Sequence, residues 1–171
     1  MPTTLLRRIT CVAILLAFSV APSRLIACVI GSGNPEKDLA QALDSNEEVF
    51  VVRLLSFQEA LPPPGEKYFL NQADYALVEV IKGRPDPSGT LSERNPYHPV
   101  AGQPPGPACG PWLLFPDRVG TTAVVFALRD SRGRQGYLWV DPFSRALDDG
   151  PDSRATLDLI RKLQLEKEAQ E

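Results

Sequence analysis

The sequence is poor in the residues that most often carry catalysis. It holds one histidine, His98, in 171 residues. A single imidazole excludes sites that need two, the His-rich metal centres and HExxH zinc proteases among them. Three cysteines occur, none in C-x-x-C spacing, which excludes a dithiol redox centre of that type. Ser32 lies in Gly31-Ser32-Gly33, but a G-x-S-x-G nucleophile elbow is absent. No basic excess exists either: 18 Lys and Arg stand against 21 Asp and Glu. Binding a polyanion needs a basic face that releases counterions, so a nucleic-acid partner is not expected.

What is abundant is proline, 17 residues, about twice the usual share. The apolar fraction of 43% is ordinary, so the chain can build one core. Residues 9–21 form an uncharged, largely apolar run behind Arg7 and Arg8. Thirteen residues fall short of the roughly 20 that span a bilayer, but suit a signal-peptide core. Residues 1–27 are therefore expected to be a signal peptide, and 28–171 a single exported domain, secreted or periplasmic. Leu25-Ile26-Ala27-Cys28 admits two readings. Ordinary cleavage after Ala27 leaves a free N-terminal Cys28. Read as a lipobox, the same residues make Cys28 the acylated anchor of an envelope lipoprotein with a structural or assembly role. Arg7, Arg8 and Arg24 leave with the leader, so 15 basic side chains face 21 acidic ones. Cys11 leaves too. The remaining pair, Cys28 and Cys109, is expected to form one disulfide in an oxidising compartment, unless Cys28 is acylated.

The spacing predicts a helix over 34–45, capped by Asn34, opened by Pro35, with Leu39, Ala42 and Leu43 on one face. Strands are predicted at 48–57, 75–81, 121–128 and 136–140, where β-branched and aromatic residues cluster. Residues 85–116 carry nine prolines and are predicted as a loop, with at most a short edge strand at 90–92. An amphipathic helix is expected over 152–168, with Leu159, Ile160 and Leu163 facing inward and Leu165 off the stripe. The fold class that follows is α+β, mainly β: a small antiparallel, OB-like barrel with a short N-terminal helix and a C-terminal amphipathic helix.

These features, in order, resemble a known family. A cysteine at the mature N-terminus is followed by a helix opening at Pro35. Next come the strand EEVFVVRLLS and a strand ending in Val78, Val80, Lys82 and Gly83. A second cysteine precedes Gly110, and a hairpin begins TTAVVFAL. The order is similar to that of the netrin-like domain of the tissue inhibitors of metalloproteinases, in a small bacterial single-domain form, over residues 28–140. The resemblance implies an OB fold and a non-enzymatic role in binding a protein partner, a protease above all. It also implies that the free amine and carbonyl of Cys28 chelate the partner's zinc. The family opens C-x-C, whereas Cys28-Val29-Ile30 stands here, and several family disulfides are missing.

Other candidates have plainer readings. His98, between Tyr97 and Pro99, reads as an exposed loop histidine. Arg129, Arg132 and Arg134 form a basic hairpin tip that could receive a phosphate or carboxylate and is the candidate binding loop. Asp148, Asp149 and Asp152 lack calcium-loop spacing and suit a helix start. Trp112 and Phe115, beside Cys109, read either as the lining of a binding groove or as packing beneath the proline-rich loop. No cofactor and no metal of the chain's own are expected, the protein is expected to be a monomer, and a membrane enters only through an acylated Cys28.

Overall fold

The computed structural model describes residues 33–62, 67–102, 113–129, 137–148 and 150–170. Two helices flank a closed, mainly β body. Helix α1 is Pro35–Ser45 and helix α2 is Pro151–Glu168. The strands are β1 (Glu48–Leu54), β2 (Gln58–Ala60), β3 (Tyr68–Lys82), β4 (Ser88–Pro99), β5 (Thr122–Arg129), β6 (Leu138–Val140) and β7 (Arg145–Leu147). Strand neighbours run β1-β3-β4-β6-β5, and β5 pairs back onto β1, which closes a five-stranded barrel. All these pairings are antiparallel except β4 with β6. β2 and β7 are short additions that pair with β3 and β5.

Two cores result, because β1 and β5 are covered on both faces. Phe50, Val52, Leu54, Val125 and Ala127 point into the barrel, where they meet Tyr75, Leu91 and Leu114. The alternate residues Val49, Val124 and Phe126 point outward and pack on Leu43 and Ile160 of the helices. Strands covered on both faces read as continuous apolar runs, which is why VFVV and AVVFA stand out in the sequence. At roughly 25 cal/mol per Å² of apolar surface, burying each such large side chain stabilises the fold by about 1.5–3 kcal/mol.

Both helices begin within a residue of where the sequence places them. Asn34 Oδ1 accepts from the amides of Glu36 and Lys37, at 3.1 and 3.2 Å. Leu39, Ala42 and Leu43 are buried, as their spacing requires. In α2, Ile160 is buried and Leu165 is exposed. Asp152 stands in the first turn of α2, as expected of an acidic start, but no side chain caps the helix. Gly150 is the N-cap, and Asp148 Oδ1 instead accepts from the Gly150 amide and the Ser153 hydroxyl.

The stretch 85–116 is a correction. It was expected to be a loop, yet twelve of its residues form β4. Proline tolerates this because of position. Pro85 and Pro87 precede the strand, and only Leu91 and Ser92 pair with β6. Pro96 and Pro99 lie beyond that pairing, where the β3–β4 register shifts between Leu70↔Arg94 and Tyr68↔Pro99. A ladder irregularity or open edge has no use for the missing N–H. β3 is also longer than expected: its first half, YFLNQAD, interleaves apolar residues with Asn71, Gln72 and Asp74, and pairs with both β2 and β4.

Lys82, the last residue of β3, ties the barrel to α1. Its ammonium donates to the carbonyls of Leu43 and Asn46, the latter at 2.7 Å, and so satisfies the end of the helix. Gly83 follows with φ +83°, and a Cβ there would meet the Glu47 carbonyl at 2.6 Å. Gly83→Ala is expected to destabilise the fold by about 1–3 kcal/mol, from left-handed strain plus a backbone clash. Urea unfolding checks this; an unchanged midpoint would show that the turn relaxes freely.

Candidate functional site

Most residues singled out in the sequence fall outside the described residues: Cys28, Cys109, Ser32, Trp112, Arg132, Arg134 and Asp149. The expected Cys28–Cys109 bridge therefore lies outside the described residues as well. Phe115 is half-buried at the residue before a 3-10 turn, Pro116–Arg118.

Arg129 is in place, exposed at the end of β5 beside the barrel seam. Its Nε and Nη2 lie 2.9 and 2.8 Å from Oε1 of the buried Glu48, and Nη2 lies 3.5 Å from Asp86. The hydrogen bond and charge of Glu48 raise its pKa further. A guanidinium engaged by two carboxylates has little left for an external anion. The basic tip thus loses its first member to the fold.

His98 has company that its sequence neighbours do not reveal. It sits near the end of β4 with Nδ1 2.8 Å from Glu59 Oε1 on β2. Its ring stacks on Phe69 at 4.0 Å between centroids. Asn95 donates to the other oxygen of Glu59 at 3.0 Å. The group is exposed, and among the described residues no serine or cysteine is placed against the imidazole. Histidine and glutamate act here as a strap that joins β2 and β4 across β3.

The unforeseen group inside the barrel is Glu93. It lies on β4, 4% exposed, with Oε1 and Oε2 accepting from the amides of Leu113 and Leu114 at 3.1 and 2.9 Å. Asn71, its register partner on β3, donates to the Leu114 carbonyl at 2.8 Å. Three hydrogen bonds therefore dock Leu113 and Leu114 into the core, where the chain returns from the proline-rich stretch. Burial pushes the Glu93 carboxyl up to about 7; the two amides pull the other way but do not compensate.

A second unforeseen feature lies on the outside of the barrel. α1, α2 and the turn before β7 enclose a cleft of about 450 Å³. Pro35, Leu39, Phe143 and Leu159 give it apolar walls, and Ala155 lies at its rim. Arg145 enters from β7. In that strand Ala146 packs on the barrel core and Leu147 on the helix layer, which leaves Arg145 on the helix side. It is half-buried, and burial lowers its pKa. Among the described residues its guanidinium has no hydrogen-bond or ion-pair partner.

Neither the metal-ligand clustering nor any other constellation of the described residues points to a reaction; they hold no group of three or more His, Cys, Asp or Glu suited to a metal. Compared with models of known protein families and with curated proteins, the chain matches none.

Glu93 makes stability depend on pH. Its carboxyl titrates near 4.5 unfolded and near 7 folded, so the folded chain holds the extra proton between those values. The stabilisation is complete below 4.5 and is lost as pH rises through 7, by an amount on the order of 3 kcal/mol. Thermal unfolding midpoints should therefore fall from pH 5 to pH 8. Glu93→Gln should flatten that slope while lowering stability overall, since the Gln amide nitrogen cannot accept one of the two N–H groups. An unchanged slope in the variant would assign the pH dependence to another group.

Proposed function

We propose that this chain is an exported, non-enzymatic binding module built on an OB-like barrel, and that its partner is another protein, a protease in the inhibitor-like form. The winding of the barrel carries the reading. Its five strands are joined in the order β1-β3-β4-β6-β5-β1, with the single parallel contact between the third and the fifth of them in sequence, β4 and β6. That arrangement supports the OB-like fold suggested by the order of sequence features. The interior is filled by Phe50, Tyr75, Leu91 and Leu114, so a partner meets the rim and outer surface. Acidity of residues 28–171 and the neutralised Arg129 favour protein over nucleic acid.

In this reading export exposes Cys28 as the new N-terminus, bridged to Cys109, and its amine and carbonyl are the groups offered to a partner's metal. The Leu25-Ile26-Ala27-Cys28 sequence supports a second reading, a lipoprotein anchored through Cys28. One mass measurement on the protein recovered from expressing cells separates them. We expect a chain starting at Cys28, two hydrogens lighter than the reduced form. A diacylglyceryl adduct would establish the anchor and end the inhibitor reading. With the amine free, residual activity of a panel of metalloproteases should fall on adding the protein, and recover when one alanine is inserted before Cys28. No inhibition of any of them would remove the protease from the proposal.

A further inference from the structure

We propose that the cleft between α1, α2 and β7 is a binding site for a small apolar carboxylate, an aliphatic or aromatic acid whose carboxylate pairs with Arg145. The site is independent of the proposed protein-binding role.

Three observations carry it. The first is shape: about 450 Å³ is within the range of small-molecule sites, and apolar walls with few polar groups are their usual composition. The second is the state of Arg145. A guanidinium taken partly out of water is costly unless paired, yet the described residues offer it no acceptor. Three other charged pairs near the barrel and helices are matched: Glu48 by Arg129, Glu79 by Arg161 at 2.6 Å, Asp44 by Lys167. The third is what else could hold an anion there. The first free amides of α1, those of Glu36 and Lys37, are already taken by Asn34. Attraction therefore falls to Arg145, whose planar fork matches a carboxylate.

The charges in the walls set the orientation. Asp38, on α1, also lines the cleft, but it has a partner of its own. It repels an acid group placed on the α1 side, so the carboxylate lies towards β7 and the apolar body extends between Leu39 and Leu159. Thr156 is the other polar side chain in the wall. A peptide is disfavoured by the same inventory, because an extended backbone would need a row of donors and acceptors that these apolar walls do not offer.

The test uses octanoate as the probe and 1-octanol as its uncharged counterpart, followed by two-dimensional amide spectra of the purified chain. Octanoate should give saturable shifts at Leu39, Phe143 and Thr156, and octanol should bind about tenfold more weakly or worse. Arg145→Met, which keeps an apolar stem, should weaken octanoate by about tenfold and leave octanol unchanged. Ala155→Phe changes an exposed helix position, keeps the guanidinium and fills the cleft; it should abolish binding of both. The proposal is overturned if octanoate never saturates, if its shifts map away from the cleft, or if it binds Arg145→Met as tightly as the parent. It is equally overturned if binding survives Ala155→Phe.

Discussion

Everything in this fold depends on the pairing of β1 with β5. These strands, far apart in sequence, run antiparallel from Glu48↔Ala127 to Arg53↔Thr122. Without that seam the sheet would be open, with two edges and one face to cover. With it, the sheet curls until one face is largely sealed from water, and β1 and β5 become the wall between two cores. The seam also holds an ion pair whose acidic member is buried, Glu48 with Arg129. Removing either partner leaves the other unmatched, and for the buried Glu48 that loss exceeds the modest net value of the pair itself.

The helices follow from the wall. Val49, Val124 and Phe126 would be solvent-exposed on a bare barrel; α1 and α2 cover them with Leu39, Leu43 and Ile160. Polar ties then fix where each helix sits. Lys82 holds the end of α1 through two carbonyls. Arg161 reaches Glu79 of β3 with two nitrogens, at 2.9 and 2.6 Å. The latter pair is part-exposed, so it sets position more than it adds stability. Two helices converging on one curved wall do not fill the wedge between them, and the cleft at Arg145 is the space left over.

What the sequence made legible is what repeats locally. The cap of α1 and the 3.6-residue spacing of both helices identify them, and the apolar runs identify β1 and β5. The first half of β3 and most of β4 do not announce themselves, because their polar residues find partners far away. Asn71 is answered by Leu114, 43 positions on, and Gln72 by Ser92, 20 positions on. Before the fold exists, such residues look like loop. The same holds for the site residues. Glu59 beside His98, Leu113 above Glu93 and Glu48 across from Arg129 are separated by 39, 20 and 81 positions. Arg145 leaves still less trace: it lies in a three-residue strand too short for any period to show.

Glu48, Glu93 and Arg145 are charged groups drawn wholly or partly out of water, and their treatment differs. Glu48 faces a guanidinium. Glu93 faces two backbone amides, and the return of the chain into the core is what it secures. In both, the cost of desolvation is offset within the fold, in part or in full, and the result is a fixed piece of architecture. Arg145 receives no such offset among the described residues, and nothing in the barrel or the helix layer is held by its charge. A leucine there would continue the apolar layer of Phe143 and Leu147 at less cost. A half-buried charge that folding leaves unmatched points to a demand that folding does not make. In this fold that residue opens into a cleft of molecular size, and the missing term is the charge of a guest.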